Sequence, residues 1–248
     1  MHIHISVTIS ISDKIIRMSQ QTSQTELWSH YQTGRLEVFA GSKSRLDFLV
    51  RFASRLATGR SLLNIGCGDG YLECRAQQKK WSVVSVDPDA SSISRLRSLG
   101  LEARCGLIES LPVNSQSVDV VICTEVLEHL SPDSLEGGLS EIKRVLKPGG
   151  LLIGTVPYRE NLTQNEVFCP DCKKTFHRWG HQQSFDEAGI HSLLGKYLKV
   201  QQARPVYFAT WDVADWKGKL SMSARLAFSW IGVHGANSNL LFVAARTS

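Results

Sequence analysis

No stretch of this chain approaches the 18 or more consecutive apolar residues that a membrane span requires. The amino terminus lacks the charged start and continuous apolar segment of a secretory signal peptide. There is no basic tail and no arginine-rich run. The net charge of +5 is mild and spread along the sequence; it slightly favours nucleic acid as a partner, but without such a tail or run nothing supports one. The six cysteines form no regular extracellular framework, and Cys67 and Cys123 fall at predicted strand ends, which suits a reducing cytoplasm. No internal repeat or low-complexity tract is visible. With 42% hydrophobic and 21% charged residues, the 248-residue chain has the composition of a globular protein able to bury a full core. A monomer or homodimer acting on a small molecule is the expectation.

Strand and helix periods alternate along most of the chain, which implies parallel βαβ units. Strands are expected at 62–66, 82–87, 102–105, 118–123, 151–156, 198–208 and 238–246. A helical lead-in or lid at 18–60 carries an apolar stripe of Leu46, Leu49, Val50, Phe52 and Leu56. A further helix begins with Ser131 as N-cap and Pro132 at N1, buries Leu135, Leu139, Ile142 and Leu146, and stops before Gly149. Gly137 and Gly138 should weaken it by about 1 kcal/mol each. Ser184-Phe185-Asp186-Glu187 reads as a capping box for a helix burying Ile190, Leu193 and Leu194. Residues 1–17 alternate Ile3, Ile5, Val7, Ile9 and Ile11 with polar neighbours; they read as an over-long start before Met18, an edge strand or pairing arm being the alternative. Trp211, Trp216 and Trp230 mark an insertion at about 209–236, either a substrate wall or packing.

The most specific signal is Leu62-Leu63-Asn64-Ile65-Gly66-Cys67-Gly68-Asp69-Gly70, an apolar strand entering a glycine turn. Glycines there let the backbone turn sharply and approach a ligand closely. Val83-Val84-Ser85-Val86-Asp87, followed by Pro88, is a second strand ending in a carboxylate able to accept hydrogen bonds from both hydroxyls of a ribose. A nicotinamide fingerprint would need a third glycine where Tyr71 stands, which counts against a dehydrogenase. These residues resemble the first motifs of class I S-adenosylmethionine-dependent methyltransferases. The resemblance continues through Glu109-Ser110-Leu111-Pro112, Ser117–Ile122, Thr124–Leu130 and Leu146–Ile153, spanning about residues 60–195. It implies an α/β, doubly wound, Rossmann-like seven-stranded sheet with the last strand antiparallel, in a domain over 61–248. It also implies S-adenosyl-L-methionine held by Asn64, Gly66, Cys67, Gly68, Asp69, Gly70, Asp87, Pro88, Leu107, Ile108 and the Thr124 backbone. Two positions depart from the family pattern: neutral Asn64 where an aspartate is common, and Leu107 where an acid usually faces adenine.

A second constellation is Cys169-x2-Cys172-x4-His177-x3-His181, inside an insertion at about 158–183. Thiolates two residues apart can share one ion, so a structural zinc on Cys169, Cys172, His177 and His181 is expected, against a reading of unlinked thiols or a redox pair. By resemblance to small-molecule methyltransferases, His181 instead faces the active site. Glu125, Glu128 and His129 resemble the metal site of small-RNA 2′-O-methyltransferases. Carboxylates with imidazole would suit Mg2+ there, the alternative being that Glu128 and His129 only order the active-site floor. His129 and His181 are the candidate catalytic bases, because imidazole titrates near working pH. A small polar or sugar-like metabolite, O- or N-methylated, is the expected substrate. An RNA ribose and a non-catalytic, zinc-ordered S-adenosylmethionine-binding module are the alternatives.

Overall fold

The computed structural model describes residues 41–210, 214–230 and 238–247. The expectations for residues 1–17 and for most of 18–60 lie outside them, as do Trp211 and the side chain of Trp230. Helix α1 (Lys43–Leu56) precedes β1 (Ser61–Ile65), α2 (Tyr71–Gln78), β2 (Ser82–Asp87), α3 (Ala90–Ser98) and β3 (Ala103–Cys105). Then come β4 (Val118–Thr124), α4 (Pro132–Val145), β5 (Leu146–Pro157), β6 (Glu166–Phe168) and β7 (Thr175–His177). The chain closes with α5 (Glu187–Gly195), β8 (Lys199–Val206), α6 (Trp216–Trp230) and β9 (Asn239–Ala245).

Seven strands form one sheet in the order β3-β2-β1-β4-β5-β9-β8. The pairings among β1 to β5 are parallel, and β9 runs antiparallel to both neighbours. The central strands read as continuous apolar runs because helices cover both faces. One face packs Leu63, Val121 and Phe242 with Leu139, Ile142 and Leu194 from α4 and α5. The other packs Leu62, Val120 and Ile122 with Leu49, Val50 and Ala53 from α1. The order reverses between β1 and β4, so their carboxyl ends open a crevice at the switch point.

Local details differ from expectation for physical reasons. In α1 the stripe runs through Ala53, and Leu56 is 43% exposed at the helix end. Helix α4 has its expected cap, with the Ser131 side chain accepting from the Ser134 amide, but it ends at Val145. Leu146 is buried as the first residue of β5 rather than as a helical residue, and Gly149 sits in a strand irregularity at φ +75°. Gly138 packs against Ile108: a Cβ there would lie 2.9 Å from Ile108 Cγ1. Its helix penalty therefore permits a close approach. Helix α5 is capped by Asp186, which accepts from the Gly189 amide, and not by Ser184.

Residues 158–183 leave the sheet after β5 and carry the two-stranded β6–β7 hairpin. The excursion returns along the segment that follows β4. The Gln182 and Gln183 amides donate to the Glu128 carbonyl at 2.7 and 3.2 Å, and their side chains donate to the His129 and Leu130 carbonyls at 2.8 and 2.7 Å.

Candidate functional site: a cavity at the carboxyl ends of the strands

A cavity of about 470 Å³ opens at the switch point, within the range of small-molecule sites. The turn after β1 forms its base. Gly66, Gly68 and Gly70 have φ of +84°, +50° and +86°, a region that strains other residues. Arg95 of α3 supports the turn, donating from Nη2 to the Gly68 carbonyl at 2.6 Å. Gly70 is not on the cavity wall; it begins α2 and packs towards Leu96 and Leu101.

Asp87 closes the base. It is 3% exposed, with Oδ2 accepting from the Cys67 amide at 3.0 Å and Oδ1 from the Asp89 amide at 2.9 Å. Each oxygen keeps acceptor capacity for a hydroxyl. Burial raises the Asp87 carboxyl above its ordinary value, opposed by those two amides. Burial and the Asp87 charge push the Cys67 thiol far up, leaving it inert.

Asn64 has a structural explanation. Its Nδ2 donates to Glu73 Oε1 at 2.7 Å and to the Gly66 carbonyl at 3.1 Å. Glu73 is 1% exposed and also accepts from Ser85 Oγ at 2.5 Å, so an aspartate at 64 would set two carboxylates in contact. The buried acid below the turn is thus Glu73 on α2, a residue the sequence reading missed.

The cavity wall contains Asn64, Gly66, Cys67, Gly68, Asp69, Asp87, Pro88, Leu107, Ile108 and Thr124, all expected from the sequence. It also contains Arg45, Glu109, Glu125, His129 and Gln182; of these the sequence had given site roles to His129, as a candidate base, and to Glu125, as a candidate metal ligand. Glu109 supplies a carboxylate beside Leu107, and Ser134 Oγ of α4 donates to it at 3.2 Å. Nothing in the sequence marks Arg45, which reaches the cavity from α1 and pairs with Glu125 at 3.7 Å. Glu125 itself adopts φ +54°, with Oε1 accepting from Thr155 and Asn239 at 2.9 Å each.

The three residues Glu125, Glu128 and His129 do not converge as a helical face would place them. Only Leu127–His129 is helical, as one 3-10 turn, and the Glu125 carboxylate turns towards Thr155 and Asn239. Glu128 is buried, which raises its carboxyl well above the ordinary range, with Glu125 adding to the rise. Burial, followed by the nearby His181, lowers His129 to about 3, so its ring is neutral and weakly basic.

The expected zinc set is likewise divided. His177 and His181 stack at 4.6 Å between ring centroids, and both face Glu160. Cys169 and Cys172 occupy the hairpin turn, where the Cys172 amide and thiol lower the Cys169 thiol below its ordinary value. Among the described residues, no group of three potential ligands within 4.8 Å joins either cysteine to these histidines. His181 is absent from the cavity wall, and Trp216 is 70% exposed away from it.

Comparison with known proteins fits this geometry. Residues 63–154 match the model of a family described as a methyltransferase domain. These residues are a class I methyltransferase domain. A probable S-adenosylmethionine-dependent methyltransferase of Mycolicibacterium smegmatis is 35% identical over 111 residues, 44% of this chain and 42% of that one. A ubiquinone biosynthesis O-methyltransferase of Hahella chejuensis is 34% identical over 112 residues, 42% of this chain and 45% of that one. The chain spans less than half the length of these relatives. The fold of the methyltransferase domain recurs in a Burkholderia thailandensis 1,6-didemethyltoxoflavin-N1-methyltransferase, with TM-score 0.61 and 15% identity over 98% of this chain and 94% of that one. It recurs also in a Methanosarcina mazei methyltransferase, with TM-score 0.59 and 16% identity over 79% and 97%. Among the described residues, no helix is long and apolar enough to cross a membrane.

Proposed function

We propose that this protein transfers a methyl group from S-adenosyl-L-methionine to an oxygen or nitrogen of a small polar or sugar-like metabolite. The observation that carries the reading is Asp87: a buried carboxylate at the end of β2, held by two loop amides and facing a cavity floored by glycines at positive φ. The residues fit the cofactor. A Cβ at Gly66 would lie 2.8 Å from Val126 Cγ2, so the turn keeps its shape only with glycine there. Asp87 would accept from the ribose hydroxyls, Leu107, Ile108 and Glu109 would border the adenine, and the Thr124 backbone would border the methionine part.

S-adenosylmethionine supplies an electrophilic methyl on a sulfonium. The chain's contribution is to align the acceptor for in-line attack and to exclude water. Because burial keeps His129 neutral and weakly basic, positioning outweighs proton abstraction. Arg45, Glu125, His129 and Gln182 give the cavity wall the mixed donors and acceptors that a polyhydroxylated acceptor needs.

The test is transfer of labelled methyl from S-adenosylmethionine into a fractionated cell extract. Label in the small-molecule fraction supports the reading. Label confined to RNA, or tight cofactor binding with no transfer to any fraction, refutes it.

A further inference from the structure

Helices α1 to α5 each bury residues in an apolar cluster; among the described residues, none of Trp216–Trp230 in α6 does. A helix of 15 residues is marginal in water without an apolar partner. Topology places α6 at the carboxyl ends of the parallel strands. It joins β8 to β9, whose first residue, Asn239, pairs with Pro157, the last of β5.

Its two sides are inverted relative to an ordinary surface helix. On the side towards the domain, Gly218, Ser221, Met222 and Arg225 line a second cavity of about 410 Å³, together with Tyr207 and Arg45. Arg45 lines the cofactor cavity as well, so the two adjoin. The other side carries Trp216, Leu220, Ala224 and Phe228, four residues apart and so in one gently winding stripe. Trp216, Leu220 and Phe228 are 70%, 67% and 54% exposed. Surface helices ordinarily turn their apolar stripe to the core. A contiguous exposed stripe marks an interaction surface.

Charge selects the partner. Residues 216–230 contain Lys217, Lys219 and Arg225 and no acid. Asp215, just before them, is committed to the helix start, accepting from the Gly218 amide at 2.8 Å. Lys217 stands beside the stripe, with Nζ 5.5 Å from the Trp216 ring centroid. A second copy docked two-fold on the stripe would bring these lysines towards their own counterparts, and like charges repel. An anionic bilayer meets each feature instead. It takes apolar side chains, asks no shape complementarity of a single convex helix and attracts lysine, and tryptophan favours its headgroup level.

We propose that α6 docks this protein on an anionic lipid surface. Trp216, Leu220 and Phe228 enter the boundary between headgroups and acyl chains, and Lys217 and Lys219 meet the anionic headgroups. The helix lies on the bilayer without crossing it. Docked in this way, the domain turns the carboxyl ends of its strands, with the second cavity behind the helix, towards the surface.

The test is co-sedimentation of the full chain with vesicles of phosphatidylcholine, alone and with phosphatidylglycerol added. The chain should bind the anionic vesicles, and more weakly as salt rises. Lys217→Gln with Lys219→Gln should weaken that binding about 30-fold. Lys79→Gln with Lys80→Gln, in the turn entering β2 at the other end of the sheet, is the charge-matched control and should bind as the parent does. Trp216→Ser, Leu220→Ser and Phe228→Ser together should abolish binding and leave the melting temperature unchanged, because none of the three enters a core. No binding to anionic vesicles, an equal loss in the control, or binding retained by the triple variant would overturn the proposal. A lower melting temperature for that variant would overturn it too, since the stripe would then pack within the molecule. So would a dimer in light scattering that the triple variant dissociates, which would make a second copy the occupant.

Discussion

Replacing Asp87 with asparagine should separate cofactor affinity from stability. In the parent, each Asp87 oxygen receives one loop amide, Cys67 at 3.0 Å and Asp89 at 2.9 Å. An asparagine keeps one of these bonds and turns an NH2 donor towards the other amide. It also offers the ribose one neutral acceptor where the parent offers a charged pair. A hydrogen bond to a charged group contributes about 1.5–3 kcal/mol. The loss of one such bond to the ribose weakens binding by about 10- to 150-fold. Stability should change little, because the substitution also removes the cost of burying a charge whose folded pKa is already raised by burial. Titration calorimetry with S-adenosylhomocysteine reads the affinity, and thermal melting reads the stability. Glu102→Gln, an exposed partner of Arg104, is the control. A Kd for the Asp87 variant within about threefold of the parent's would refute the assignment, since it would mean a loss of at most about 0.7 kcal/mol, well short of 1.5.

Two further predictions concern the support of the site. Gly138→Ala should lower the melting temperature, although helix propensity alone would raise stability by about 1 kcal/mol. The new methyl would meet Ile108 at 2.9 Å, and because Ile108 lines the cavity, cofactor affinity should fall too; a higher melting temperature would contradict this packing. Glu141→Gln should flatten the acid limb of stability. The Arg144 guanidinium at 2.6 Å, with the Leu111 amide, holds the Glu141 carboxyl below its ordinary value of 4.5. Stability from a depressed carboxyl is complete above the unfolded pKa and is lost as pH falls through the folded one. Melting curves of parent and variant should therefore differ most above about pH 5 and converge as the pH falls from there through the lowered folded value; a gap that widens in acid would be the wrong sign.

The sheet and the turn at the carboxyl end of β1 were legible because their determinants are local. An apolar strand running into Gly66-x-Gly68-x-Gly70, with a second strand ending in Asp87, specifies both the turn and its acid within about 25 residues. Helix α4 announced itself through Ser131 and Pro132 for the same reason. The excursion was not legible in this way. Cys169, Cys172, His177 and His181 are close in sequence, but the β6–β7 register pairs His177 with Glu166 at the open end of the hairpin. Two residues of strand, about 7 Å, separate it from Thr175 beside the turn. The partners that reach the histidines, Glu160 and Glu128, arrive from 17 to 53 residues away, a separation that spacing rules do not cover. Glu73 escaped notice similarly: its role appears only when α2 packs its carboxylate under Asn64 and Ser85.

The account's central claim is that the cavity at the strand ends receives the adenosyl cofactor. Hydrogen exchange of the full chain, with and without S-adenosylhomocysteine, tests it most directly. Binding should slow exchange at residues 66–70, 87–89 and 106–109 together, leaving the β6–β7 hairpin turn unchanged. Unchanged exchange at all three segments under saturating ligand, or protection confined to another part of the molecule, would contradict it.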